Sequence, residues 1–193
     1  MIEQRIPLKY DLIRKEVKFS RRTIRYFEDY EDLFRLNCKE LNGKSILDLG
    51  AGDSTFAEDT VGVTRDVLRL DPKYSDNPPI YRNYAITGIA QNLPFRDNSF
   101  DEVLSSISLY WIKTGLDKAL LEMIRVTKPE GKIRIFPAEL KKDTKAQYSS
   151  STRLVYVSKH KAHLPTLFIT KDSSYNLDDW KNEVSNILTC VDL

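Results

Sequence analysis

The strongest constraint on this chain is a short apolar run, Ser45-Ile46-Leu47-Asp48-Leu49, cut off by Gly50-Ala51-Gly52. A run this short, with little polar alternation, reads as a strand covered on both faces, and such strands belong to parallel sheets flanked by helices. The glycines at its carboxyl end mark a tight turn in which no Cβ holds the backbone away from a neighbour or a ligand.

The rest of the chain supplies the alternation that a parallel sheet needs. Val67-Leu68-Arg69-Leu70 reads as a second strand, closed by Asp71-Pro72, and a weaker third lies around Tyr84-Ala85-Ile86. Residues 101–105 hold a fourth strand and residues 132–136 a fifth. Between these two, Leu116, Leu120, Met123 and Ile124 share one face of a helix over 116–126, with Pro129-Glu130-Gly131 as its stop. Ser20 is the expected N-cap of a helix that runs to Leu41 and stops at Gly43, its apolar face formed by Ile24, Phe27, Leu33, Phe34 and Leu41. Gly62 keeps the helix after Gly52 short. Beyond Pro137, residues 153–158 and 166–170 read as two more strands, and Leu177, Trp180, Val184, Ile187 and Leu188 mark a last amphipathic helix. Strands alternating with helices imply right-handed crossovers in one sheet.

At 193 residues the chain fits one domain, large enough to bury roughly 70% of its unfolded surface without a disulfide or metal. Cys38 and Cys190 form neither a disulfide framework nor a ligand spacing, so no metal is expected. No apolar run is long enough to span a membrane, and a cytoplasmic location is expected. The net charge of +2 hides an uneven distribution. Residues 46–124 carry 7 basic and 12 acidic side chains, whereas 1–45 carry 11 and 8, and 125–193 carry 12 and 8. An acidic middle suits a cationic cofactor, and basic ends suit an anionic acceptor, although Lys and Arg mostly just solvate a surface.

Asp71 stands about 20 residues beyond the glycine turn, where a carboxylate can accept both hydroxyls of an adenosine ribose. A dinucleotide site favours Gly-x-Gly-x-x-Gly, and Thr55 occupies the third glycine position here. Residues 88–111 narrow the choice further. They read Gly88-Ile89-Ala90-Gln91-Asn92-Leu93-Pro94-Phe95-Arg96-Asp97-Asn98-Ser99-Phe100-Asp101, followed by Glu102-Val103-Leu104-Ser105-Ser106-Ile107-Ser108-Leu109-Tyr110-Trp111. Together with Ile46-Leu47-Asp48-Leu49-Gly50-Ala51-Gly52 and Lys128-Pro129-Glu130-Gly131-Lys132, this segment resembles the class I S-adenosylmethionine-dependent methyltransferases, over roughly residues 45–137. The similarity is to the broad small-domain group with Leu-Pro-Phe-x-Asp-x-Ser-Phe-Asp before the fourth strand.

The resemblance implies an α/β fold: a Rossmann-like, mostly parallel seven-stranded sheet with helices on both faces and the last strand antiparallel. It implies one domain, with 1–44 as an N-terminal helical lid carrying Arg25, Tyr26 and Tyr30. Residues 45–137 become the cofactor-binding core, and 138–193 the substrate-side strands and C-terminal helix. Its implied cofactor is S-adenosylmethionine, released as S-adenosylhomocysteine. Gly50, Ala51 and Gly52 are expected against its methionine part, with Asp48 orienting the turn or reaching the ammonium through water. Asp71 and Pro72 are expected at the ribose, Ile89, Ala90 and Gln91 along the adenine, and the Ser105 carbonyl at the ammonium or methyl end. Two positions depart from the family pattern: Ser54 replaces a glycine, and Ile89 replaces the usual acid beside adenine.

Acceptor-side candidates follow the carboxyl ends of the strands: Tyr110 and Trp111, Glu139, and His160 and His163. His163, His160 and Tyr110 are the candidate catalytic residues, since a histidine titrates near neutrality and can act as general base. The expected reaction moves a methyl group to an oxygen or nitrogen nucleophile of a small molecule. The alternatives are an RNA or protein acceptor, or a non-catalytic cofactor-binding module of the same fold. Ser105-Ser106-Ile107 stands where nucleobase amino-methylating enzymes carry Asn-Pro-Pro-Tyr, which disfavours that group.

Overall fold

β1, Ser45–Leu49, is buried at every position, as a strand covered on both faces must be. The computed structural model describes residues 26–76, 84–140, 155–158 and 166–193. Around β1 stand β2 (Asp66–Leu70), β3 (Ala85–Ile86), β4 (Phe100–Ser106), β5 (Thr127–Phe136), β7 (Val155–Ser158) and β8 (Thr166–Thr170). The sheet order is β3-β2-β1-β4-β5-β8-β7. β1 to β5 are parallel, with Leu47 facing both Leu68 and Val103. β8 runs antiparallel to both its neighbours. The fold class expected from the sequence is the one observed, with one adjustment: six strands run four residues or longer, and the third shrinks to the two-residue edge β3. A separate two-stranded pairing joins β6 (Glu139–Leu140) to β9 (Val191–Asp192).

Period-two alternation splits the core between the faces. Leu47, Leu49, Val103, Ile133 and Ile135 meet α4 (Leu116–Val126) and α5 (Leu177–Cys190). Ile46, Val67, Leu104 and Phe136 meet α1 (Phe27–Phe34), the short α2 (Cys38–Leu41) and α3 (Phe56–Asp59). The second face is also polar. Glu102, fully buried, takes Lys44 Nζ at 2.6 Å and Arg134 Nε at 2.9 Å. Arg134 Nη1 and Thr166 Oγ1 donate to the carbonyls of Phe34 and Leu33, and so satisfy the last turn of α1.

One expected helix is corrected. The helix expected over 20–41 is broken within its described part. Arg35 is left-handed at φ 52°, and Asn37 starts a new helix by accepting the Glu40 amide at 2.9 Å. The expected N-cap, Ser20, lies outside the described residues, and the described helix is capped at Tyr26. α4 has its expected bounds, Leu116–Val126, but the fifth strand begins at Thr127 and not at 132, so Pro129-Glu130-Gly131 fall within it. Those three residues bulge from β5, whose register jumps from Phe100↔Thr127 to Glu102↔Lys132. A Cβ on Gly131 would lie 2.8 Å from the Lys128 carbonyl and 2.9 Å from that of Asp101, so only glycine closes the bulge. α3 has four residues, as short as Gly62 led one to expect.

Candidate cofactor site

The carboxyl ends of β1, β2, β3 and β4 meet at one edge, where ligands bind in open α/β sheets. The turn after β1 is tied there to the end of β2. The Leu70 carbonyl accepts the Gly50 amide at 2.7 Å and the Ala51 amide at 3.4 Å. Gly50 and Gly52 are both left-handed, at φ 70° and 52°. A Cβ on Gly50 would fall 2.0 Å from the Ser108 Cβ, so the glycine is required by a side chain descending from beyond β4. Ser108 Oγ donates to the Leu49 carbonyl at 2.8 Å, which leaves Ser105 Oγ as donor in the 2.6 Å contact between the two hydroxyls. Ser105 itself is buried.

The peptide groups of Gly52 are held from the other side by the segment after β2. Asp71 Oδ2 accepts the Gly52 amide at 3.0 Å, and Tyr74 Oη donates to the Gly52 carbonyl at 2.7 Å. The other Asp71 oxygen accepts the Lys73 amide at 2.8 Å and caps the turn Pro72–Ser75, in which Pro72 is exposed. A carboxylate offers about four lone-pair directions, so two backbone bonds leave acceptor capacity for a ligand hydroxyl. Ser54 Oγ accepts the Phe56 amide at 3.1 Å, just ahead of the α3 N-cap Thr55, a bond a glycine could not make.

The third wall is Ile89-Ala90-Gln91, directly after β3. Ile89 is half-exposed and Ala90 buried, while Gln91 Nε2 donates to the Thr114 carbonyl at 3.2 Å. Tyr110 and Trp111 lie on a turn over Leu109–Trp111, their rings edge-to-face at 5.5 Å, with Trp111 half-exposed. Asp48 points to the opposite face. It is fully buried beneath α1 and accepts Tyr30 Oη at 2.7 Å. Tyr30, expected on a lid, is itself core, stacked on Phe56 at 4.5 Å. His160, His163 and Arg25 lie outside the described residues, and Glu139 sits in β6, paired with Asp192.

Sequence reasoning thus collects Gly50, Ala51, Gly52, Asp71, Ile89, Ala90, Gln91, Ser105 and Tyr110 on one edge, and misses Tyr74 and Ser108. Both are polar residues within a few positions of a strand end, too common a pattern to single out without the fold. Among the described residues no group of three His, Cys, Asp or Glu is placed to hold a metal ion, and no helix is long and apolar enough to cross a membrane.

Residues 47–135, from β1 to the end of β5, match the model of a family described as a methyltransferase domain. The segment that builds the parallel sheet is therefore similar to a methyltransferase domain. Among individual relatives, a demethylmenaquinone methyltransferase of Renibacterium salmoninarum is 40% identical over 95 residues, covering 47% of this chain and 40% of that protein. The ubiquinone/menaquinone biosynthesis C-methyltransferase of Haemophilus ducreyi is 31% identical over 144 residues, covering 67% of this chain and 53% of that one. The chain thus spans about half or less of these relatives' length. In structure, a candidate S-adenosyl-L-methionine-dependent methyltransferase of Methanococcus maripaludis superposes with a TM-score of 0.54 at 14% identity, over 77% of this chain and 84% of that one. At that identity the likeness concerns the fold.

Proposed function

We propose that this chain binds S-adenosylmethionine at the carboxyl edge of β1–β4 and transfers its methyl group to a small-molecule acceptor. The observation that carries this reading is the bond from the Gly52 amide to Asp71. It joins the glycine turn to the acid closing β2, so one carboxylate both fixes the turn and retains acceptors for vicinal ribose hydroxyls. When bound, S-adenosylmethionine supplies a methyl group already activated by a positive sulfur. This chain's residues then have to bind and orient. Asp71 accepts the ribose hydroxyls, Ile89 and Ala90 offer an apolar wall to the adenine, and the turn 50–52 presents backbone to the methionine part. Orienting two reactants can lower a barrier by roughly 7–11 kcal/mol without a strong acid or base. Tyr110 and Trp111, beyond β4, are the side chains in reach of an acceptor docking on the same edge.

Calorimetry with S-adenosylmethionine tests this. Wild-type protein binds, and Asp71→Ala weakens binding about 10- to 100-fold, the equivalent of one or two lost bonds to a charged acceptor. Asp71→Asn, which keeps one oxygen for the backbone, loses less. Unchanged affinity in Asp71→Ala removes the ribose assignment.

The relatives favour a second reading of the acceptor atom. The sequence alone suggests oxygen or nitrogen, whereas the Haemophilus ducreyi relative is named a C-methyltransferase. Transfer of a carbon-13 methyl group to a turned-over substrate separates the two, because a methyl on carbon resonates well upfield of one on oxygen or nitrogen.

A further inference from the structure

In a parallel sheet the crossover from one strand to the next in the chain is usually a helix. Between β3 and β4 the stretch 87–99 contains none. It leaves the candidate cofactor edge at Ile89-Ala90-Gln91 and descends to the opposite edge to enter β4. A stretch of this kind must find partners for its backbone polar groups elsewhere. One pair of side chains on α4 partners three of them. The Leu93 amide donates to Glu122 Oε2 at 2.7 Å. The Leu93 carbonyl accepts Arg125 Nη2 at 3.0 Å, and the Phe95 carbonyl accepts Arg125 Nη1 at 2.7 Å. Arg125 Nε and Nη2 also meet the two Glu122 oxygens at 2.7 and 2.8 Å, and Nη1 reaches Asp97 at 2.8 Å. The main chain at the end of α4 continues the grip, with the Arg125 and Val126 carbonyls accepting the amides of Asn98 and Ser99. Phe95 adds an edge-to-face contact with Phe100 at 5.0 Å.

We infer that the Glu122–Arg125 pair is the positioning element of the adenine-side wall: it fixes Leu93, two residues beyond Gln91, and thereby sets where Ile89-Ala90-Gln91 stand. This rests on the cofactor reading above. Neither side chain touches that wall, so their effect on a ligand is transmitted through the loop. The Arg125 fork is suited to the role because its planar guanidinium donates to two carbonyls and two carboxylates at once, which an ammonium with three donors cannot do.

The test measures S-adenosylhomocysteine affinity by calorimetry, and backbone hydrogen exchange of the cofactor-free protein. Arg125→Ala raises the dissociation constant about tenfold, as expected for two or more lost loop bonds, while kcat at saturating cofactor stays within about twofold. Arg125→Lys recovers little of the affinity. Exchange of the amides over 88–95 accelerates in Arg125→Ala while β1 and β4 keep their protection. Asp101→Asn serves as the control, because it breaks an ion pair of similar exposure whose side chains make no bond to this loop, and it leaves the dissociation constant unchanged. If Arg125→Ala does not accumulate as folded protein, Glu122→Gln carries the test with about a threefold loss, since it keeps an acceptor for the Leu93 amide. Wild-type affinity in the folded variants, or an equal loss in Asp101→Asn, overturns the inference. Failure of the wild-type protein to bind cofactor overturns the cofactor reading, and this inference with it.

Discussion

The two edges of the parallel sheet are built from different materials. At the carboxyl edge the contacts are backbone to backbone or backbone to a small polar group, made by Gly50, Gly52, Asp71, Tyr74 and Ser108. Toward the amino edge the strands are joined by ions. Asp101 takes the Ser45 amide at 2.9 Å and Lys128 Nζ through both oxygens, Glu102 takes Lys44 and Arg134, and Lys171 Nζ reaches the Arg125 and Thr127 carbonyls. Burial leaves the Lys171 ammonium more acidic than an ordinary lysine. The difference shows that Asp101, the last acid of the Leu-Pro-Phe-x-Asp-x-Ser-Phe-Asp segment, belongs to the frame. The site is made mainly by main chain, which any sequence with glycines in the right places could supply.

If the edges are separate, breaking the frame must cost stability without changing affinity per folded molecule. The largest effect is expected at Glu102. Glu102→Ala leaves the buried Arg134 without its nearest carboxylate, and loss of one partner of a buried pair costs about 3–5 kcal/mol. Urea denaturation reads the loss and calorimetry reads the cofactor. A loss under about 1 kcal/mol, or weakened binding in the folded fraction, breaks the comparison.

Gly50→Ala ranks next and should break the other edge. Its Cβ would sit 2.0 Å from the Ser108 Cβ on a backbone at φ 70°, so Ser108 must leave and its bond to the Leu49 carbonyl is lost. Overpacking of this kind costs about 1–3 kcal/mol, and here it should also abolish cofactor binding because the turn itself moves. The double variant Gly50→Ala/Ser108→Gly removes the clash and should recover part of the stability. No recovery would mean that the left-handed backbone, and not Ser108, demands the glycine.

Much of this was legible in the sequence, and the reason is local. The run 45–49 is short and largely apolar because both faces of β1 are covered, and the glycine turn follows directly from where β1 stops. The break at Arg35 was not legible. Phe27, Leu33, Phe34 and Leu41 keep a helical spacing across it, and only the Asn37 cap betrays a restart. The role of Asp48 was misleading for a similar reason. Its place beside the glycine turn suggests the site, but the period of a strand turns its carboxylate to the opposite face, under Tyr30. Contacts such as Tyr74 to Gly52, 22 residues apart, or Arg125 to Leu93, 32 apart, depend on how elements pack and leave no periodic signal.

The smallest predicted effect is also the one that isolates the frame by pH. Burial works against ionised Asp101, but the Lys128 hydrogen bond and charge, together with the Ser45 amide, outweigh it and hold the carboxyl below its ordinary 3.8. A carboxyl more acidic in the folded chain than in the unfolded one stabilises the fold above the unfolded value. That contribution is lost as pH falls through the folded value. The Asp101–Lys128 pair is partly exposed, so its worth is about 0.2–1 kcal/mol at neutral pH. Asp101→Asn should therefore lower the melting temperature slightly at neutral pH. The gap from wild type should close only below about pH 3.8, where the native carboxyl also takes up its proton. A gap that persists undiminished however far the pH falls would show that the substituted amide is disruptive for its shape or hydrogen bonding, and not for its missing charge.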